Sequence, residues 1–160
     1  MSHQDDVSKV ADLLSGMRFA MLTTVDSDGT MVSRPMAVQE VEFDGDLWFF
    51  AEEGSRKVRH VQVVPRVNAS FGSGSTWVSV SGIATVVRDR TKNKELWNAG
   101  VEAWFPDGPD SGSVVLLKVR AETAEYWNTP GGRLATLVSF AKAKATGTPY
   151  DGGENDVVRL

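Results

Sequence analysis

The chain has 160 residues, of which 41% are hydrophobic and 24% are charged, and these values are typical of one globular domain with a single core. Its formal net charge of -4 argues against a general nucleic-acid surface or a surface for anionic membranes. There is no Cys, which excludes disulfides, thiolate catalysis and Cys-based metal sites. No leader pattern and no run of about 18 apolar residues occurs, so we expect a cytoplasmic location without membrane partners.

The hydrophobic periodicity of the first half predicts a helix, three strands that follow one another as a meander, a short helix that stops before Pro65, and two further strands. In chain order these elements cover residues 4–16, 18–25, 30–41, 47–51, 55–64, 66–71 and 76–89. Ser55 is a natural N-cap for the short helix. Gly82 predicts a bulge or a bend in the last of these strands.

The second half predicts a helix over 90–105, a long strand over 114–127 and an amphipathic helix over 131–147 that begins at the turn 130–132. The apolar face of this last helix is predicted to present Leu134, Leu137, Val138 and Ala141. The tail 148–160 is turn-rich, and we expect it and residues 1–6 to be loosely ordered.

The order of these elements indicates a mainly β (α+β) fold that occupies the whole chain, 1–160, as one domain. Six strands are joined mostly by tight turns, and regular strand–helix–strand alternation is missing, which argues against a doubly wound sheet. A closed or nearly closed antiparallel barrel with helices at its edges is the natural prediction, because closure hides the edges of strands.

A first candidate site combines Arg34 with the segment GSRK at 54–57. Arg34 is followed by Pro35 within a strand pattern, although a proline cannot donate to a sheet ladder. Arg56 and Lys57 fall in the first turn of the short helix, where the helix dipole favours negative charge. Backbone N–H groups, a Ser hydroxyl and two cations are suited to a phosphate. The alternative is a pair of solvated surface charges.

The aromatic residues form a second candidate. Trp48, Phe49 and Phe50 are consecutive, and the other tryptophans are Trp77, Trp97, Trp104 and Trp127. Any single one is most simply explained as core. So many in a small chain also indicate either a dimer interface or a flat ligand packed against rings.

Motifs for unaided catalysis are missing from the sequence: it has no P-loop, no GxGxxG, no paired-carboxylate motif and no His-rich cluster. A Ser-His-Asp arrangement or a His-based metal site would have to use His60, which we expect instead at a half-exposed helix position. We therefore predict no metal site, and the chemistry is expected to belong to a cofactor.

The order of several segments is similar to the pyridoxamine 5'-phosphate oxidase-like superfamily, and within it to the general stress protein 26 branch. The segments are MLTTVDSDGTMVSRPM, GDLWFFA, SRKV, PRVNASF, WVSVSGIATVV, LWNAGVEAWFPDGPD and AEYWNTPGG. The resemblance covers about residues 8 to 147. It implies a six-stranded antiparallel split β-barrel with flanking helices, which forms a homodimer with two FMN sites at the subunit interface.

The resemblance also implies roles for individual residues. Arg34 and Lys57 are expected to hold the FMN phosphate, assisted by Ser55 and Arg56. The backbone of Pro35, Met36 and Ala37 is expected to line the isoalloxazine ring, and Phe50 and Ala51 to flank the ribityl chain and ring. Trp77 is expected to come from the second subunit, while Trp104 and Trp127 are weaker candidates for closing the pocket.

The functional expectation is an FMN-binding flavoprotein that resembles general stress proteins and acts as an oxidoreductase on an unidentified substrate. Pyridoxamine 5'-phosphate oxidase activity itself is doubtful, because the chain has no late His to match the C-terminal segment of that enzyme. The alternatives are a non-catalytic flavin store or redox sensor, a deazaflavin-binding reductase of the same fold, and a barrel that binds no cofactor.

Overall fold

The computed structural model describes residues 2–129, 132–149 and 153–160. The elements in chain order are α1 (His3–Leu14), β1 (Phe19–Val25), β2 (Met31–Ala37), β3 (Asp46–Glu52), α2 (Arg56–Val63), β4 (Arg66–Ser73), β5 (Thr76–Val87), α3 (Arg90–Leu96), α4 (Ala99–Trp104), β6 (Val114–Asn128), α5 (Gly132–Thr146) and β7 (Glu154–Arg159). No helix among the described residues is long and apolar enough to cross a membrane.

All strands belong to one antiparallel sheet with the order β2-β1-β4-β5-β6-β3, and β7 also pairs with β6. The predicted meander is therefore wrong at its third strand, since β3 pairs with β6 rather than with β2. The two end strands, β2 and β3, still approach each other. The sheet thus curls towards a barrel that stays split between them, as a strongly twisted sheet of this size tends to do.

Gly82 lies where β5 changes register against β6, so the predicted bulge is confirmed. A Cβ atom added to Gly82 would stand 2.2 Å from the carbonyl oxygen of Arg120. Only a residue without a side chain allows the two strands to approach this closely.

Two other elements differ from the prediction, and a third expectation is not covered by the described residues. The helix expected over 90–105 is two helices, because Asn98 accepts hydrogen bonds from the backbone N–H groups of Gly100 and Val101 and so caps a new helix. The C-terminal tail contains β7, which adds a seventh strand to the six predicted. The turn expected at 130–132 and the position of Leu134 lie outside the described residues and side chains.

The inner face of the sheet carries an apolar core that is shielded from solvent at its centre, where Leu22, Phe49 and Leu117 have no exposed surface. Burial of side chains of this size stabilises a fold by roughly 1.5–3 kcal/mol each. A second, smaller cluster joins Phe50 and Leu116 to α3 and α4.

The outer face of the sheet remains partly apolar. The register places Met21 in one cross-strand row with Ser70, Ser79, Glu125 and Val157. Side chains two residues apart along a strand share a face, so Phe19 and Trp77 lie on this face as well. The exposed large apolar residues of this face include Phe19, Met21, Met31, Trp77, Trp127 and Val157.

Candidate functional site

Helix α2 begins at the predicted N-cap, but the capping residue does not cap. Ser55 has the extended backbone of an N-cap, and its side chain makes no capping hydrogen bond. Its Oγ is buried and has no hydrogen-bond partner among the described residues. A buried hydroxyl without a partner costs free energy. Ser55 therefore offers a hydroxyl that a ligand can satisfy.

The first turn of α2 contains two cations and no acidic residue, which is unfavourable for the helix dipole. Arg56 is neutralised, because its Nη2 lies 3.1 Å from Oδ2 of Asp26. Lys57 has no carboxylate partner within the described residues. Burial and the nearby charge of Arg34 lower the pKa of Lys57, and Glu52 only partly opposes this.

Arg34 reaches the same region from β2. It pairs with Leu22 across the strands, so its side chain lies on the inner face of the sheet. Its Nη1 donates to the Leu22 carbonyl at 3.2 Å and to Thr24 Oγ1 at 2.7 Å. Burial and the charge of Arg56 lower the pKa of Arg34, though not enough to remove its proton at neutral pH.

Arg34, Ser55 and Lys57 together form what we call the candidate anion site. Two partly buried cations repel each other there, and a buried hydroxyl has no partner. One bound anion would satisfy all three groups, as well as the dipole of α2. Phosphate suits this arrangement because it accepts several hydrogen bonds at once.

His60 is not half-exposed as expected but buried, which corrects the prediction. Its Nδ1 lies 2.8 Å from Thr24 Oγ1, and its Nε2 lies 3.2 Å from Oδ2 of Asp26, off the direction of a hydrogen bond. The Asp26 carboxylate has its pKa lowered to about 2, first by its hydrogen bond from Arg56. In the described ranges no group of three or more His, Asp or Glu side chains is arranged for a metal ion.

The β2 residues expected to line a ring divide between the two faces of the sheet. Met36 is buried in the core, whereas Pro35 and Ala37 are exposed on the outer face. Strand β2 lies at the end of the strand order, where proline is tolerated because one edge needs no ladder bonds. An edge position alone accounts for Pro35, while it also leaves backbone groups available to a ligand.

The two β3 residues present little side chain to a ligand. Phe50 packs against Trp97 with ring centroids 5.4 Å apart and nearly perpendicular planes. Ala51 is buried in the main core. Because β3 ends the strand order on the other side, contacts from Phe50 and Ala51 to a ligand are expected from backbone rather than side-chain atoms.

Two of the three candidate tryptophans lie together. Trp77 and Trp127 are directly opposite each other on β5 and β6, and both are exposed. The Trp77 ring covers Gly72, where an added Cβ would meet it at 2.3 Å. Trp104 lies apart from them on α4 and is 79% exposed. None of the three rings belongs to the core of the chain.

The sequence interpretation missed Thr24 and the site role of Asp26, and it predicted a half-exposed position for His60, which is buried. The available signals were the position of His60, four residues after Arg56 on one helix face, and the Asp26 turn directly after a strand. Neither signal shows that β1 passes beneath α2, which is the tertiary contact that brings Thr24 to His60.

The sequence profile of a family described as pyridoxamine 5'-phosphate oxidase like matches residues 5–151. The chain belongs to this family. In a separate comparison with individual proteins, Protein bli-3 of Neurospora crassa is 33% identical over 156 residues, and the match covers 88% of this chain and 75% of bli-3. The resemblance inferred from the ordered segments is thereby confirmed.

Solved structures give the same result for the fold. A protein described as general stress protein 26 from Jannaschia sp. CCS1 matches with a TM-score of 0.79 and 26% identity, over 98% of this chain and 99% of that one. The general stress FMN/FAD binding protein from Xanthomonas citri matches with a TM-score of 0.66 and 28% identity, over 78% of this chain and 89% of that one. The split-barrel prediction is confirmed, with seven strands instead of six.

Proposed function

We propose that this chain is a flavoprotein that binds FMN by its phosphate at Arg34, Ser55 and Lys57. The observation on which the proposal depends most is the buried Ser55 Oγ without a hydrogen-bond partner in the described part of the chain. Lys57 follows two residues later, and Arg34 is near enough to Lys57 to lower its pKa. The FMN/FAD binding relative from Xanthomonas citri supports a flavin as the ligand.

The residues fit a terminal phosphate better than a single carboxylate. Lys57 and Arg34 are cations on two different elements, and the Ser55 hydroxyl approaches from the N-cap of α2. A phosphate offers three terminal oxygens, so each of these groups can bond a different one. Arg56, which is paired with Asp26, contributes its charge rather than a direct bond.

The same proposal includes a homodimer with the two flavin sites shared between subunits. The apolar residues Phe19, Met21, Trp77 and Trp127 on the outer face of the sheet are exposed in the single chain. A second copy is the occupant that the family resemblance favours for this face, and Trp77 of the second subunit would then border the ring. Light scattering is expected to give twice the chain mass, and a Met21→Glu variant is expected to lower it.

FMN, when bound, would supply hydride or electron transfer to an unidentified substrate. The residues of this chain would bind the phosphate, position the ring along the end strands and restrict access of water.

The test is a titration of the purified protein with FMN, riboflavin and a deazaflavin, followed by absorption and fluorescence. We expect FMN to bind at least tenfold more tightly than riboflavin, since each charge-assisted bond to phosphate contributes on the order of 1.5–3 kcal/mol. Equal affinity for FMN and riboflavin would contradict the phosphate site. Preference for the deazaflavin would keep the fold and change the cofactor.

A second measurement separates an oxidoreductase from a flavin store or redox sensor. The FMN complex is mixed anaerobically with candidate electron donors, and the loss of the oxidised flavin absorption is followed. Rapid bleaching by one donor and recovery with an acceptor would support turnover. A complex that stays oxidised with every donor would favour the store.

A further inference from the structure

Four side chains form a continuous line of contacts from the turn after β1 to the candidate anion site. Asp26 lies 3.2 Å from Nε2 of His60, and Nδ1 of His60 lies 2.8 Å from Thr24 Oγ1. Arg34 Nη1 then donates to the same Thr24 oxygen at 2.7 Å. One hydroxyl therefore connects the imidazole to the guanidinium.

The proton count of each group decides the direction of these bonds. A guanidinium only donates, so Thr24 Oγ1 accepts from Arg34. The Thr24 proton is then available to Nδ1 of His60, which must accept it. This leaves the His60 proton on Nε2, where the carboxylate of Asp26, 3.2 Å away, attracts it electrostatically although the contact lacks the angle of a hydrogen bond.

The opposite tautomer would create two conflicts. If Nδ1 of His60 donated to Thr24, the buried hydroxyl proton of Thr24 would have no acceptor among the hydrogen bonds of the described residues. The bare Nε2 lone pair would also face the Asp26 carboxylate at 3.2 Å. The two conflicts arise at different atoms, and both favour the Nε2–H form.

We infer that Thr24 and His60 are positioning residues that hold the Arg34 guanidinium ready for the anion, with His60 in its Nε2–H tautomer. The inference rests on the proposed phosphate site. Thr24 has no exposed surface and only 4% of His60 is exposed, and the inference assigns neither residue a direct contact with the ligand. Any effect they have on binding passes through Arg34, whose long side chain would otherwise lose rotamer freedom when the anion binds.

The first test is a double-mutant cycle between Thr24 and Arg34, with FMN and riboflavin as probes. Thr24→Val is expected to weaken FMN binding roughly threefold to tenfold and to leave riboflavin binding unchanged, because one hydrogen bond to the phosphate-binding Arg34 is lost. In an Arg34→Ala background the same change is expected to have no further effect. Equal losses in both backgrounds would overturn the positioning role.

Matched variants separate positioning from packing. Thr24→Ser keeps the hydroxyl and is expected to restore FMN affinity. His60→Asn places its amide near the position of Nδ1, whereas His60→Gln places it near Nε2. We therefore expect His60→Asn to keep more of the FMN-over-riboflavin preference than His60→Gln. The same loss in both variants, in step with melting temperature, would indicate a packing role and overturn the inference.

The tautomer can be measured without changing Thr24, Arg34 or His60, which avoids variants that disturb the buried contacts. The chain has only two His residues, so a His3→Gln variant leaves His60 as the single imidazole signal. Nitrogen-15 chemical shifts are expected to show protonated Nε2 and bare Nδ1 at neutral pH. Protonated Nδ1 with bare Nε2 would overturn the assigned bond directions.

The outcomes also separate this inference from the function on which it rests. If Arg34→Ala binds FMN as tightly as the parent, the phosphate site itself is wrong. If Arg34→Ala weakens FMN binding but Thr24→Val does not, the site stands and the positioning role is overturned.

Discussion

Two regions of this molecule use the same kinds of cation in opposite ways. Around β3 and α3, Arg88 donates from Nε to Glu53 at 2.9 Å, and Lys118 lies 3.0 Å from Asp46. Lys118 and Lys92 also lie over the Trp48 ring, at 5.4 Å and 4.8 Å from its centroid. Every one of these cations has a partner.

At the start of α2 the pattern is reversed. Within the described ranges, Arg34 donates only to neutral oxygen atoms and Lys57 has no acidic partner. Both side chains are nevertheless partly buried. The cations of the first region are arranged for the ligand-free fold. Those of the second region are arranged for an anion that the chain itself does not provide.

The largest expected effect is on FMN binding by a double variant, Arg34→Ala with Lys57→Ala. It is expected to lose about a hundredfold or more in FMN affinity, from two charge-assisted bonds of roughly 1.5–3 kcal/mol each. The loss of FMN affinity is measured by the quenching of flavin fluorescence. The matched control from the paired region, Arg88→Ala with Lys118→Ala, is expected to bind FMN as the parent does. Equal losses in the two double variants would remove the difference between the regions.

The next largest expected effect is the loss of FMN affinity in a Ser55→Ala variant. Loss of an N-cap serine normally costs about 0.5–2 kcal/mol of stability, but here the side chain makes no capping bond. We expect the ligand-free protein to be at least as stable in urea as the parent, because the variant removes a buried hydroxyl without a partner, while FMN affinity is weakened severalfold. The control is Asp89→Ala, which removes a side chain that does cap α3 and is expected to cost about 1 kcal/mol. A stability loss for Ser55→Ala of the same size would show an ordinary cap.

In the ligand-free protein, the removal of a positive charge by Lys57→Gln and by Arg88→Gln is expected to change stability in opposite directions. Lys57→Gln removes a charge that burial and Arg34 disfavour, so stability is expected to rise by up to about 1 kcal/mol after solvent screening. Arg88→Gln breaks the pair with Glu53 and is expected to lower stability slightly. Urea unfolding at low salt measures both. A fall in both variants would mean that Lys57 stabilises the fold.

The smallest expected effect is on the stability of the protein at acidic pH. Asp26 has a pKa of about 2 when folded against an ordinary value of 3.8, so its stabilising contribution is complete above pH 4. It is lost as pH falls from about 4 to about 2, because the unfolded chain takes up the proton first. An Asp26→Asn variant is expected to show a flatter decline of stability over this window. Parallel curves for parent and variant would contradict the role of Arg56 as the partner of Asp26.

Much of the fold could be predicted from local patterns. The strands predicted over 18–25 and 114–127 follow from their hydrophobic pattern. The bulge follows from Gly82, a single glycine within a long strand. The break between α3 and α4 could not be predicted by periodicity, since Asn98 competes through its side chain with a helix that hydrophobic spacing alone would continue. The strand β7 could not be predicted because the tail is turn-rich, and β7 becomes ordered by pairing with β6.

The sequence by itself determined the family, the residue types of the anion site and the unusual cations in the first turn of α2, because these depend on order and local spacing. Only the tertiary structure decided that β3 leaves the meander to pair with β6, and that Phe50 and Ala51 turn their side chains into packed clusters. It also decided that Thr24 and His60 meet beneath Arg34. Contacts between residues 36 positions apart depend on how strands pair and helices pack, and local spacing carries no information about that choice.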